Sequence, residues 1–180
     1  VPPGRTVNRR SGLRSANVAA LAVAWPAVTD RIDEEMIARA VRLGRDGALA
    51  GAGGPFGAVV ALGGRVLGEA HNAVIATTDP TAHAEVQAIR AAALAIGSPH
   101  LVGASLYTSC EPCPMCAGAA MWARVSRVVY ASTRDDAREW GAFDDDVFWE
   151  ELARPLHARH LPHEQVGRAE AVEAWRWFAD

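Results

Sequence analysis

The apolar positions that follow residue 30 recur with the period of an α-helix. Thr29 and Asp30 are favourable N-cap residues, and the acids at 33–35 suit the positive end of a helix dipole. The apolar face that follows is made by Met36, Ile37, Ala40, Val41 and Leu43. The glycine-rich residues 51–54 end this pattern, so the first predicted element is an amphipathic helix.

Two short, mainly apolar runs come next, over residues 56–62 and 65–71, separated only by Gly63 and Gly64. A two-residue glycine loop accepts positive φ at both positions, as a tight β-hairpin requires. These runs therefore predict a hairpin. Residues 72–81 contain an Asp-Pro pair that favours a turn, and we predict a loop there.

The second half of the chain alternates predicted helices with predicted strands. In chain order these are a helix over 82–96, a strand over 105–109, a helix over 113–124, a strand over 127–131, helical pieces within 134–151 and a terminal helix over 170–180. Strands separated by helices predict one α/β domain, with a mixed sheet covered by helices on both faces.

Charge is distributed unevenly along the sequence. Residues 1–29 contain four of the 18 basic residues, all arginine, and no acid, which leaves residues 31–180 with 14 arginines, 20 acidic residues and a net charge of −6. An acidic surface repels phosphate backbones, so the charge argues against nucleic acid as a partner. No apolar stretch approaches the roughly 20 residues of a membrane span, so we expect no membrane partner.

Residues 1–29 are predicted to be an Arg-rich, disordered arm that precedes a domain of residues 30–180. The apolar second half of the arm is also compatible with an export signal. The cysteines argue against export, because Cys110, Cys113 and Cys116 lie too close together for a disulfide framework. Such a cluster is typical of a metal or catalytic site in a reducing compartment, so the predicted location is the cytoplasm.

His83, Cys113 and Cys116 are the candidate ligands of a catalytic zinc ion. Zn²⁺ accepts imidazole nitrogen and thiolate sulfur, and three protein ligands leave one position for water. The i, i+3 spacing of the two cysteines places both sulfurs on one side of a helical turn, and both motifs lie at predicted helix N-termini, which favour thiolate. The bound cation would lower the pKa of its water towards neutrality.

Glu85 is the candidate proton shuttle. Expelling ammonia requires a proton on the ring nitrogen during attack and another on the amine before it leaves, so a carboxylate must carry them. Glu85 lies two residues after His83, where a long side chain in the first turn reaches the water. The alternative is a non-catalytic zinc-binding module with Cys110 as the fourth ligand. Such a site has no use for Glu85, and Cys110 precedes the helical turn, where its sulfur should point elsewhere.

The combined motifs resemble zinc-dependent nucleobase deaminases. More specifically, the segments that closely resemble bacterial guanine deaminases are residues 53–58, 79–85, 107–116, 143–145 and 174–179. The resemblance covers roughly residues 30–180. It implies a three-layer α/β/α, cytidine deaminase-like fold with a mixed sheet of about five strands. It also implies a homodimer with exchanged C-terminal segments, and hydrolysis of guanine to xanthine and ammonia by a zinc-activated hydroxide with Glu85 as proton shuttle.

The same resemblance implies which residues surround the substrate. Asn72 would hydrogen-bond the polar edge of the purine, and Phe56 and Phe143 would flank its ring. Ala84 would contribute to the substrate site, and Asp145 would help to bind or protonate the base. No organic cofactor is implied beside Zn²⁺.

Other substrates remain open at this point. The sequence given ends at Asp180 without the Tyr that usually follows the terminal helix in this family, and His71 resembles the residue of related nucleoside and tRNA adenosine deaminases. Another aminopurine, guanosine, cytidine or cytosine, or an amino-triazine are the alternatives. A tRNA adenosine deaminase is suggested by Cys116–Ala119 with Arg124 and Arg127, although the acidic charge argues against it.

Overall fold

The structure, a computed structural model of the protein, describes residues 31–179. Its elements in chain order are α1 (Arg31–Leu49), β1 (Gly57–Leu62), β2 (Arg65–His71), α2 (Val74–Thr77), α3 (Ala84–Ile96), β3 (Ser105–Cys110), α4 (Pro114–Ala123), β4 (Arg127–Ser132), α5 (Arg134–Gly141), α6 (Asp146–Ala153), a 3-10 helix (Leu156–Ala158) and α7 (Arg168–Ala179). The predicted arm of residues 1–29 lies outside the described residues. Within 31–179, no helix combines the length and apolarity needed to cross a bilayer.

The strands of this region form one mixed sheet in the order β2-β1-β3-β4. β1 runs antiparallel to both of its neighbours, whereas β3 and β4 run parallel and are connected through α4. Gly63 and Gly64 make the predicted hairpin turn, with φ values of 56° and 81° that residues with a Cβ rarely adopt. The predicted hairpin and mixed sheet are confirmed.

Two expectations need correction. The described residues form four strands rather than about five. After β4, Thr133 and Asp136 form a reciprocal capping box that begins α5, and Pro155 and Pro162 further on cannot donate backbone hydrogen bonds to another strand. In addition, α2 forms a single helical turn inside the predicted loop over 72–81.

Alternate residues of β1 pack against helices on opposite faces of the sheet. Val59 belongs to a buried cluster with Met36 of α1, whereas Ala58 and Val60 belong to a second cluster with residues of α3 and α4. Burial on both faces explains why β1 is a continuous apolar run instead of an alternating one. The three-layer α/β/α architecture implied by the resemblance is therefore confirmed.

Two glycines set how closely the helices approach this sheet. A Cβ on Gly57 would lie 2.1 Å from the carbonyl oxygen of Ala40 in α1, and one on Gly68 would lie 2.5 Å from that of Ala88 in α3. Backbone atoms cannot move aside as a side chain does, so only glycine fits at these positions. Gly57 thereby lets α1 lie close to the sheet, and Gly68 does the same for α3, whose N-terminus carries part of the functional site.

A buried ionic network joins α1 to β3 and β4. The carboxylate of Asp33, in the first turn of α1, is 5% exposed. It accepts hydrogen bonds from the Tyr107 hydroxyl at 2.9 Å and from Nη1 of Arg127 at 2.8 Å, while Nη2 of Arg127 donates to its other oxygen. The Arg127 guanidinium holds the pKa of Asp33 below its ordinary value.

Replacing Asp33 with Asn should lower the free energy of unfolding by about 2 kcal/mol at pH 7, because charged hydrogen bonds to Arg127 are lost. A carboxylate whose pKa is depressed by folding stabilises the protein above its unfolded pKa of about 4, and that contribution is lost as the pH falls. The stability difference between wild type and variant should therefore shrink below about pH 4. Urea unfolding at several pH values measures this difference.

Asp46→Asn is the matched control, because Asp46 pairs with its neighbour Arg45 at the surface and 64% of its side chain is exposed. The control should change stability by less than about 0.5 kcal/mol. An Asp33→Asn variant as stable as the wild type would contradict a stabilising role for the network.

Candidate active site

Two helix N-termini point into the same region from one face of the sheet. His83 is the N-cap residue of α3 and Cys113 is the N-cap residue of α4, and both have extended backbone angles. Pro114 is the first residue of α4, where a backbone N–H would have no acceptor within the helix. Because proline has no N–H, it is favoured at this position and fixes where α4 begins. Neither N-cap side chain caps its own helix, so both are available to a ligand.

His83, Cys113 and Cys116 converge into one cluster. Nδ1 of His83 lies 3.6 Å from Sγ of Cys113 and 3.5 Å from Sγ of Cys116, and the three ligand atoms lie within 4.8 Å of one another. Tetrahedral zinc with Zn–N near 2.0 Å and Zn–S near 2.3 Å places nitrogen and sulfur about 3.6 Å apart. The cluster therefore fits zinc, with Nδ1 as the imidazole ligand, and it is the one such group among residues 31–179.

The two thiols of the cluster differ in acidity. The hydrogen bond from Cys116, with His83 close by, lowers the pKa of Cys113 to about 4. The pKa of Cys116 is raised, because a second thiolate would face the first in a buried position. A cation removes this conflict, since it allows both sulfurs to ionise side by side. The donor set thus suits a divalent metal better than it suits a pair of free thiols.

Cys110 lies apart from this cluster. It ends β3, is 6% exposed, and its Sγ donates a hydrogen bond to the carbonyl oxygen of Thr133 at 3.5 Å. Burial raises the pKa of its thiol, which keeps it neutral. The described side chains around the cluster thus provide three soft ligands and not four, which is the pattern of a catalytic zinc site.

Glu85 lies in the first turn of α3, directly beside the cluster. It is 5% exposed, and its Oε1 accepts a hydrogen bond from the Thr108 hydroxyl at 3.2 Å. Burial raises the pKa of Glu85, and the negative charge of Cys113 adds to the effect. A carboxyl group that is close to the metal ligands and shielded from bulk water is well placed to take up and release protons.

Asn72 follows β2 and is 6% exposed. Its Oδ1 accepts a hydrogen bond from the backbone N–H of Val74 at 3.2 Å, which fixes the orientation of the amide. A Cβ on Gly53 would lie 2.1 Å from the same Oδ1, so only glycine fits against this side of the amide. The other end of the amide, Nδ2, therefore faces away from these contacts as a hydrogen-bond donor.

Phe56 and Phe143 contact each other edge to face, with ring centroids 4.9 Å apart and an interplanar angle of 77°. A Cβ on Gly54 would lie 2.8 Å from the Phe56 ring and 3.0 Å from that of Phe143, so the absence of a side chain makes room for the pair. The two rings line a pocket of about 280 Å³ that also includes Cys110 and Trp140. The metal cluster lies outside the lining of this pocket.

Asp145 and Ala84 complete the predicted set. Asp145 is half-buried and immediately precedes α6. Burial raises its pKa, and the charges of Cys113 and His83 also act on it, so it lies within electrostatic range of the cluster. Ala84 is the first residue of α3 and is fully buried between His83 and Glu85.

Thr108 and Gly53 are the site residues that the sequence analysis missed. Thr108 occupies the same face of β3 as the buried Leu106, so a polar residue at an inward position of a predicted strand was the available signal. Gly53 carried no such signal, because a glycine in a glycine-rich loop predicts a turn and not a close approach to Asn72.

A three-layer α/β/α domain with a His-Cys-Cys cluster at two helix N-termini and a buried glutamate beside it defines a zinc-dependent hydrolytic deaminase. Residues 30–132 match the family model described as the cytidine and deoxycytidylate deaminase zinc-binding region. The chain belongs to this family of zinc-dependent deaminases, in the branch that contains bacterial guanine deaminase.

The branch follows from the individual relatives. The chain is 47% identical over 150 residues to guanine deaminase of Bacillus subtilis (strain 168), which covers 82% of this chain and 96% of the relative. The X-ray structure of guanine deaminase from Bacillus subtilis matches with a TM-score of 0.76 and 46% identity over 82% of this chain and 95% of that one. A tRNA-specific adenosine deaminase of Agrobacterium fabrum (strain C58) is 46% identical over 120 residues, 67% of this chain and 75% of the relative.

Proposed function

We propose that this protein hydrolyses guanine to xanthine and ammonia. The observation that carries the proposal is the pairing of a three-ligand metal cluster with a buried carboxyl group, Glu85, in a chain that matches nearly the full length of a guanine deaminase. The acidic charge of residues 31–180 favours a free base over tRNA, because a folded domain with a net charge of −6 repels a phosphate backbone.

The metal and the protein side chains have different roles in the proposed reaction. His83, Cys113 and Cys116 would hold the zinc ion, which would supply the Lewis acidity that makes water nucleophilic near neutral pH. Glu85 takes a proton from that water and delivers it to N3 of guanine as C2 is attacked. It then takes the proton of the new C2 hydroxyl and delivers it to the exocyclic nitrogen, so that the C2–N bond breaks, ammonia leaves and C2 keeps the oxygen as a carbonyl. Because Glu85 is shielded from bulk water, its proton is transferred to the substrate and not lost to solvent.

The substrate contacts belong to the same proposal. Asn72 presents Nδ2 as a fixed donor to an acceptor atom on the purine edge. Phe56 and Phe143 supply apolar surface for a planar base, and the backbone of Ala84 at the start of α3 offers an N–H group towards it. Asp145, whose pKa is raised by burial, donates or accepts a proton at the base edge.

A cytoplasmic location belongs to the proposal as well. Cys110, Cys113 and Cys116 are all free thiols in the structure. A zinc site built from two cysteines is preserved best where thiols stay reduced.

Glu85→Gln should reduce kcat for guanine by at least about a thousandfold while leaving bound zinc unchanged, because an amide cannot carry protons. Xanthine formation and the zinc content of the purified protein measure the two effects. Glu34→Gln is the matched control, since Glu34 is exposed on α1, and it should behave as wild type. Near-normal turnover by Glu85→Gln would refute the role of Glu85. A wild type that releases ammonia from another amine but not from guanine would refute the substrate.

Asn72→Asp should raise KM for guanine and lower kcat/KM by about a hundredfold. The substitution removes the hydrogen bond from Nδ2 and places a carboxylate oxygen opposite the acceptor atom of the purine. The Asp side chain has the same shape and can still accept from Val74, so the zinc content should not change. Steady-state kinetics on guanine check this expectation. Unaltered kcat/KM would show that Asn72 only shapes the turn.

A homodimer with exchanged C-terminal segments is the expected assembly. On α7, Trp175 and Phe178 lie three residues apart on one face of the helix, and their side chains are 71% and 62% exposed. Elsewhere, a groove of about 310 Å³ between α4 and β4 is lined by apolar residues that include Met121, Tyr130 and Trp149. Soluble monomers rarely expose apolar surface of this extent, and the aromatic face of α7 from a second copy has the chemistry to cover the groove.

Light scattering of the full chain should therefore give twice the 19.1 kDa mass of the chain. Trp175→Glu should shift the mass towards that of the monomer, since a buried charge opposes the contact. Arg168→Glu, at the start of the same helix, is the control and should remain dimeric. A monomeric wild type at micromolar concentration would refute the dimer.

A further inference from the structure

Thr108 is a polar residue at the centre of the sheet. It lies on β3, pairs with Ala58 of β1 on one side and with Tyr130 of β4 on the other, and is fully buried. Leu106, two residues earlier on the same face, is equally buried and belongs to the core between the sheet and α3 and α4. The position is therefore one where the core favours an apolar side chain.

The hydroxyl of Thr108 has one described partner, which is the carboxyl group of Glu85. Oγ1 of Thr108 donates to Oε1 of Glu85 at 3.2 Å. Burying a hydroxyl is unfavourable unless it is hydrogen-bonded, and Val has nearly the same shape and a high preference for strands. Packing and strand formation thus give no reason for a hydroxyl at this position, whereas the contact with Glu85 does.

The two partners are anchored very differently. Thr108 is held by strands on both sides, so its hydroxyl has a fixed position, whereas the Glu85 side chain leaves α3 through several rotatable bonds. The hydrogen bond from Thr108 to Oε1 therefore restricts rotation of the Glu85 side chain. The same carboxyl group also hydrogen-bonds with the Cys116 thiol, so the bond from Thr108 holds it beside a metal ligand.

We propose that Thr108 is a positioning residue for deamination, which fixes the Glu85 carboxyl group beside the metal ligands through its bond to Oε1. The inference rests on the proposed function, because it assigns Thr108 a role only through the proton shuttle. Misplacement of a catalytic group by about 1 Å costs up to a hundredfold in rate, so a single fixed bond at this position has a measurable effect.

Two substitutions separate positioning from packing. Thr108→Val keeps the shape and removes the donor, and it should lower kcat for guanine at least about tenfold, with KM within about twofold of wild type and zinc retained. Thr108→Ser keeps the donor and removes a methyl group, and it should keep kcat within about threefold of wild type although its Tm falls. Of the two variants, Thr108→Ser should therefore have the higher kcat and the lower Tm.

If Thr108 has only a structural role, Thr108→Ser, the less stable of the two variants, should also have the lower kcat. That result, or a Val variant with wild-type kcat, would overturn the inference while the wild type still converts guanine. In the Glu85→Gln background, Thr108→Val should cause no further loss of kcat, and an independent loss there would also overturn it. A wild type inactive on guanine would instead overturn the proposed function, and the inference with it.

Discussion

Two cysteine sulfurs lie side by side at the N-terminus of α4, and only one of them ionises readily in the absence of a cation. The pKa of Cys113 is lowered to about 4, while that of Cys116 is raised by the thiolate beside it. This electrostatic conflict, together with the imidazole of His83 at 3.5–3.6 Å, makes the cluster a site for a divalent metal. The remaining features of the site hold these groups close together and away from bulk water.

The fold provides this arrangement through close packing and a rigid sheet. Gly57 allows α1 to lie directly against the strands, and Gly68 does the same for α3, whose N-terminus carries His83 and Glu85. Burial of Glu85 keeps bulk water away from its carboxyl group, and Thr108 connects that group to the sheet. The candidate metal ligands, Glu85 and Thr108 therefore share one rigid frame, as pre-organised catalysis requires.

Sequence reasoning predicted the parts that depend on local pattern. Hydrophobic periodicity located the hairpin and the helices, and His83, Cys113 and Cys116 followed from ligand chemistry and helix-terminal placement. The fold implied by the resemblance is confirmed, with four strands among residues 31–179 instead of about five, because the chain after β4 forms capped helices and carries prolines. The roles of Thr108 and Gly53 depend on contacts between residues distant in sequence. The inward polar position of Thr108 is a local signal, but it does not identify Glu85 as the partner, and Gly53 carries no local signal. The substrate roles of Asn72, Phe56, Phe143, Ala84 and Asp145 remain predictions, since they require the bound base.

The central claim is that three protein side chains hold the zinc and that Cys110 is not a fourth. X-ray absorption at the zinc edge of the purified holoprotein tests it most directly, because sulfur and lighter ligands scatter differently. We expect two sulfur ligands near 2.3 Å with nitrogen or oxygen ligands near 2.0 Å, in a spectrum that Cys110→Ser leaves unchanged. A third sulfur ligand that disappears in Cys110→Ser would refute the three-ligand site, because a zinc ion closed by four protein ligands has no position left for water.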